Sequence, residues 1–278
     1  MSDETESYIA DDEEAAAVLK TVGKVIKMCR ERKGLTQAEL GRAVGYSEEQ
    51  VSAVERGRRA PSEKFLKAAD EVLGADGLIV GLRKDVAQAK YPKKVRDLAN
   101  YEVQAVEVCA YANSVVHGLL QTPDYARALC EMRRPPFPEE EVDRIVAARL
   151  DRQEILGQQL TTVFSFVLEE EMLRRPLGDK MVMRKQLEHL LDVSQLRNVD
   201  LQVMPTDRED HAGTDGSFEL LRLAKGDRVA HNEVQLISRL ISLPAEVQLL
   251  EIRYGTIRSQ ALTPGESLAF IKNLLGET

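Results

Sequence analysis

The sequence predicts a mainly α protein of two domains: an N-terminal bundle of five short helices and a C-terminal α+β domain on a small antiparallel sheet. Three observations lead there. At 278 residues the chain is longer than one core usually organises. Charge is partitioned: residues 1–16 hold seven acidic and no basic side chains, residues 17–96 hold 18 basic against 10 acidic, and residues 97–278 hold 20 against 29. Hydrophobic spacing is helical through the basic block and mixed beyond residue 100. These shifts mark out an acidic arm without fixed structure (1–16), a compact helical domain (17–82), a basic linker (83–100) and an α+β domain (101–278).

Each element has a local cause. In "AVLKTVGKVIKMCRERK", Val18, Val22, Val25, Ile26 and Cys29 fall on one helical face, with Lys20, Lys24, Lys27 and Arg30 on the other. Gly34 stops that helix. Thr36 with Glu39, and Ser47 with Gln50, form two capping-box patterns that start the next two helices. Gly45 breaks the chain between them, and so short a turn makes the helices cross closely. Gly41 sits mid-helix at a cost of about 1 kcal/mol against alanine, which implies that another backbone passes there.

The stretch "LTQAELGRAVGYSEEQVSAVERGRRAPS" resembles the helix-turn-helix of the XRE, or Cro-like phage-repressor, family over roughly residues 20–80. The resemblance implies a recognition helix "SEEQVSAVER" whose start enters the major groove of operator DNA. Glu48, Glu49, Ser52, Ala53 and Arg56 would face the duplex, with Tyr46 nearby. Gln37 and Ser47 lie at helix starts, where a phosphate is favoured. Arg58 and Arg59 match phosphate contacts, and Arg30 with Glu55 matches an internal ion pair. Glu48 and Glu49 raise a question, since carboxylates repel phosphate. Either can accept from the cytosine amino group, or both merely complement the helix dipole.

In the linker, Lys90, Lys93 and Lys94 around Pro92 suit either a connecting helix or a tether that adds phosphate affinity. The acidic arm serves solubility, or folds over the basic face in competition with DNA. Beyond it, "EVQAVEVCAYANS", "TPDYARALCEM", "PEEEVDRIVAARLDRQEIL" and "DKMVMRKQLEHLLDVSQL" read as helices. "LTTVFSFVLEE", "VDLQVMP", "GSFELLRLA" and "DRVAHNEVQLI" read as strands, and two helices close the chain.

Here "HGLLQTPDYARAL", "ARLDRQEIL", "MVMRKQLEHLL", "VDLQVMP", "GSFELL" and "LTPGES" resemble the C-terminal domain of Scr-type, WhiJ-like, antitoxin-like actinobacterial regulators. His117 departs from that pattern, where proline is usual. The resemblance implies a transcriptional regulator working with a small protein, often encoded beside it. The alternative is a one-component regulator that senses a small molecule. A homodimer is expected, since one helix-turn-helix spans one half-site.

No phosphate-binding glycine loop, GxSxG, HExxH or paired Cys/His cluster is present in the sequence, so neither an enzyme nor a cofactor is expected. The loop "PTDREDHAGTDGS" gathers Asp207, Glu209, Asp210, His211 and Asp215, an oxygen-rich set of the kind that can hold a divalent cation, but its spacing matches no calcium loop; adjacent polar residues are ordinarily solvated, and the loop equally suits a mobile lip over a binding surface. His189 and His231 read as packed or surface residues. Cys29, Cys109 and Cys130 form no CxxC pair and suit a reducing compartment. The absence of a long apolar run and the acidic start lead to the expectation of a cytoplasmic protein with no membrane segment.

Overall fold

A computed structural model describes the backbone of residues 3–89, 93–235 and 237–277, and the side chains of these except 3–15, 87–88 and 93–97. The side chains of the acidic arm and of Lys90, Pro92, Lys93 and Lys94 therefore lie outside the described residues. Two compact units emerge, one of residues 1–97 with Phe137–Ala148, the other of Leu98–Pro136 with Arg149–Thr278.

The first unit holds α1 (Asp3–Arg32), α2 (Gln37–Val44), α3 (Glu48–Glu55), α4 (Glu63–Leu73), α5 (Leu78–Gly81) and α6 (Arg83–Ala89). The backbone of α1 is helical from Asp3, where the sequence suggested an arm without structure; alanine and glutamate, frequent in that stretch, propagate a helix readily. Both expected capping boxes are formed, by Thr36 with Glu39 and by Ser47 with Gln50. Ser62 caps α4, and Asp70 accepts the backbone N–H groups of Gly77, Ile79 and Val80 to start α5. Leu19, Val22, Ile26, Leu40, Val51, Val54, Phe65 and Leu66 are buried in one core. A Cβ on Gly41 would lie 2.6 Å from the Tyr46 carbonyl oxygen, the close backbone that the glycine implied. Gly45, at φ 79°, makes the turn.

The chain continues through α7 (Lys93–Gln104), β1 (Ala105–Ala112), a 3-10 turn (Gly118–Leu120), α8 (Pro123–Glu131), α9 (Glu139–Gln153), α10 (Ile155–Gln158), β2 (Val163–Glu169), α11 (Glu170–Arg174), α12 (Lys180–Val193) and β3 (Val199–Met204). Then come β4 (Phe218–Leu223), β5 (Arg228–Val234), β6 (Ile237–Ile241), α13 (Pro244–Gln260) and α14 (Pro264–Glu277). The sheet has six strands in the order β3-β2-β1-β4-β5-β6. It is mixed rather than antiparallel, because β1, β2 and β3 run parallel. The helical crossovers α8–α10 and α11–α12 supply the length that parallel neighbours need. Strands β4, β5 and β6 are antiparallel to their neighbours.

Two segments form other elements than their sequence suggests. "EVQAVEVCAYANS" is not one helix: α7 ends at Gln104 and β1 follows. "DRVAHNEVQLI" is not one strand but β5 and β6, with Gln235 at φ 53° between them. Phe164 through Glu169 of β2 are buried without alternation, as a strand covered on both faces must be. One layer of core contains Val108, Phe164, Phe166, Leu187 and Leu201; the other contains Tyr111, Val167, Met204, Val247 and Tyr254. Tyr254 of α13 donates to the Ser165 carbonyl at 2.8 Å, tying that helix to the sheet.

Candidate nucleic-acid interface

Helix α3 is held by its inner face and left open on its outer one. Val51 and Val54 point into the core, and Gly23 lets α1 approach so closely that a Cβ there would lie 2.5 Å from the Val54 and Glu55 carbonyl oxygens. Arg30 grips Glu55 with both arms of its fork, Nε to Oε1 at 2.5 Å and Nη2 to Oε2 at 2.9 Å. That pair is buried. Burial opposes the charge on Arg30, but the Glu55 hydrogen bond prevails and raises its pKa.

On the outer side Glu48, Glu49 and Arg56 are exposed, and Ser52 and Ala53 are half-buried. Positions 48, 52 and 56 recur every four residues and so share a helix face. The Arg56 Nε–H meets the Ser52 carbonyl at 3.3 Å. Both glutamates lie in the first turn, where unpaired N–H groups favour negative charge. Ser47 is spent as the N-cap.

The remaining expected residues are drawn into the framework. Gln37 donates to Glu55 at 2.7 Å and so belongs to the internal ion-pair network. The Tyr46 hydroxyl shares a hydrogen bond of 2.8 Å with Ser62, and its ring meets Phe65 edge-on at 5.1 Å. Arg59 is half-buried. Arg58 donates from Nη1 to Asp143 at 2.8 Å, and Lys20 pairs with Glu140 at 3.0 Å. Neither acidic partner was visible as such in the sequence, although the run "PEEEVD" was.

The second unit carries two polar clusters. His211 Nε2 lies 2.9 Å from Glu169 Oε1 and 3.2 Å from the Tyr111 hydroxyl, which itself donates to Glu169 at 2.7 Å. Burial, then the Glu169 carboxylate, raises the Tyr111 pKa. A Cβ on Gly213 would fall 2.2 Å from the Tyr111 hydroxyl, so the loop after β3 closes against the sheet there. Asp215 pairs with Arg253 at 2.9 Å, while Asp207, Glu209 and Asp210 are exposed. The loop's polar residues thus diverge, and among the described residues no group of three or more His, Cys, Asp or Glu could hold a metal.

The other cluster joins Glu102, Arg152, His117, Glu219 and His231. Arg152 Nε lies 2.7 Å from Glu102, and His117 Nε2 lies 3.4 Å from Glu219. His117 also accepts the Leu119 N–H to cap the 3-10 turn, a role that accounts for a histidine at that place. His231 stands opposite Glu219 in the β4–β5 register and bonds Ser238 at 2.9 Å. Burial pushes the Glu102 carboxyl up to about 8 against the pull of Arg152. Burial acts on Glu219 too, but His117, Arg152 and His231 outweigh it and hold that carboxylate below its ordinary range. Burial lowers the pKa of His231 and of His189.

The profile of a family described as a domain of unknown function, DUF5753, matches residues 95–273, more than half of the chain. This chain belongs to the DUF5753 family. The DUF5753 match covers all six strands and runs into α14. A second profile, described as a helix-turn-helix domain, matches residues 22–78 and so covers α2 to α4 with the last third of α1. It supports a DNA-binding regulator. No curated protein and no solved structure matched. Among the described residues no helix is long and apolar enough to cross a membrane.

Proposed function

We propose that this chain is a sequence-specific transcriptional regulator acting in the cytoplasm, with α3 in the major groove of operator DNA. The observation that carries the reading is the division of α3 into a locked inner face and an open outer one. Arg30 and Glu55 fix the helix, while Glu48, Glu49, Ser52 and Arg56 stand outward. One of the two glutamates accepts from a cytosine amino group, and Arg56, Arg58 and Arg59 contact phosphate. Such a domain occupies one half-site, so the regulator works as a homodimer on half-sites spaced by about 34 Å.

The DUF5753 domain receives the signal, in this reading from a small protein in an antitoxin-like pair of the WhiJ type. Supporting a protein partner, α13 is apolar on two sides. Val247, Tyr254 and Ile257 are buried, yet Leu249 and Ile252 are exposed, as are Val234, Ile237 and Leu243 around the β5–β6 hairpin. A helix apolar on two sides ordinarily has cover on both. The second reading, a small-molecule sensor, rests on a cleft of about 620 Å³ beside α13, lined by Tyr101, Leu223, Arg228, Val229 and Val247. No catalytic role is assigned.

The test is binding to the protein's own upstream DNA across a salt series, with Glu48→Ala and Glu49→Ala, and with any small protein encoded alongside. Specific binding, a steep salt dependence and a changed base preference in one glutamate variant are expected. Equal affinity for every sequence at every salt concentration overturns the reading.

A further inference from the structure

Two cations at the edge of the helix-turn-helix end on carboxylates of one short acidic segment. Arg58 reaches Asp143 at 2.8 Å and Lys20 reaches Glu140 at 3.0 Å. Glu140 and Asp143 are three residues apart in the opening turns of α9 and so lie on one face of it. Glu139, Glu140 and Glu141 sit in its first turn, where the helix dipole favours negative charge. The segment Phe137–Ala148 belongs to the same compact unit as the DNA-binding helices.

The Arg58 contact differs from the structural pair in that unit. Arg30 meets Glu55 with two parallel hydrogen bonds, and the two side chains are 9% and 1% exposed. Arg58 gives one N–H to Asp143, its buried Nε–H has no acceptor among the described residues, and the side chains are 29% and 20% exposed. A guanidinium used on one arm gains by moving to a group that takes both, and a phosphate is such a group. The partial exposure of both side chains leaves the contact open to exchange.

We propose that the acidic start of α9 is a built-in competitor for DNA, which holds Arg58 and Lys20 on carboxylates until duplex phosphates replace them. The inference rests on the DNA-binding reading above. The competing acid is then the segment 139–143 at the start of α9.

The test uses the full chain and a duplex of its own upstream DNA, followed by fluorescence anisotropy across a salt series. Asp143→Asn with Glu140→Gln should bind roughly three- to tenfold tighter at low salt, the weight of one or two partly exposed ion pairs, with the gain shrinking as salt rises. Asp143→Ser with Glu140→Gln should gain equally. Glu139→Gln, the same charge change beside them, should gain much less. In an Arg58→Ala, Lys20→Ala background the neutralised carboxylates should give no gain, as a mutant cycle requires of groups that act through each other. An unchanged affinity in a folded Asp143→Asn, Glu140→Gln variant overturns the inference while wild type still binds. So does an equal gain from Glu139→Gln or in the double-alanine background, either of which means general charge alone. If wild type and all variants ignore every duplex, the DNA-binding reading falls and the competitor with it.

Discussion

Replacing Glu55 by alanine should loosen α3 from α1 by about 3 kcal/mol, the lower end of the range for stranding one partner of a buried pair. The carboxylate accepts from Arg30 Nε at 2.5 Å, Arg30 Nη2 at 2.9 Å and Gln37 Nε2 at 2.7 Å. Alanine leaves those three donors without an acceptor where the Arg30 side chain is only 9% exposed. The lower end applies because Arg30 Nη1 keeps the Leu35 carbonyl, at 2.6 Å. Were the pair an ordinary surface bridge, the loss would stay below about 1 kcal/mol. At tenfold per 1.4 kcal/mol, the local opening constant rises by roughly 150-fold. The chain has no tryptophan, so amide exchange read by mass spectrometry is the suitable assay. Peptides from the end of α1 and from α3 should exchange faster, with β1 and β2 as internal references. Arg30→Met with Glu55→Leu should recover most of the loss, since apolar volume replaces both charges. Unchanged exchange in Glu55→Ala, or a double variant looser than the single one, would refute the reasoning.

Gly41→Ala should destabilise by about 1–2 kcal/mol, because its Cβ would lie 2.6 Å from the Tyr46 oxygen and the clash exceeds the propensity gain. Gly255→Ala in α13, where an added Cβ would meet no atom of the described residues within 4 Å beyond its own stretch of helix, should instead stabilise by about 0.5–1 kcal/mol; thermal melts with the same sign for both would sink the steric account. The Glu102 carboxyl, raised to about 8 by burial, keeps its proton in the fold where the unfolded chain has released it. Stability of the second unit should therefore fall as pH rises from the ordinary carboxylate range to about 8, and Glu102→Gln should flatten that slope in urea titrations at several pH values. Cys29 and Cys130 are buried, and burial, then Glu107, pushes the Cys109 thiol up to about 12. Iodoacetamide at pH 8 should leave all three untouched in the native chain and modify all three in denaturant; rapid native labelling of Cys109 would count against its burial.

Local chemistry made the first unit legible. Caps, turn glycines and amphipathic spacing each act within four residues, and Thr36, Ser47, Gly41 and Gly45 do in the fold what their places implied. The sheet was less so. Val106, Val108, Cys109 and Tyr111 follow a helix without a break, and a strand covered on both faces loses the alternation that would mark it. Of the contacts across long separations, the resemblance supplied Arg30 with Glu55, and residue spacing alone gave none of the others. Arg58 meets Asp143 85 residues away, and Tyr111 meets His211 100 residues away. "PEEEVD" and "REDHAG" advertise charge, but only the fold says which partner each will take.

The acidic residues around the basic block bear on one quantity. Non-specific affinity grows with each phosphate that a protein neutralises. Residues 17–96 carry a net charge of +8, but Phe137–Ala148 of the same unit brings four acidic side chains and one basic, so these two segments together carry +5. Within that block, Glu48 and Glu49 place two of the negative charges at the start of α3 itself. On the DNA-binding reading, the unit gives up attraction common to all duplexes and depends more on contacts that only the operator supplies. Since random sites vastly outnumber operators, the ratio of the two affinities is what selection acts on. Glu48→Gln, Glu49→Gln and Asp143→Asn together should thus tighten binding to random DNA more than to the operator. A ratio that held or rose in the triple variant would mean that these carboxylates do not serve discrimination.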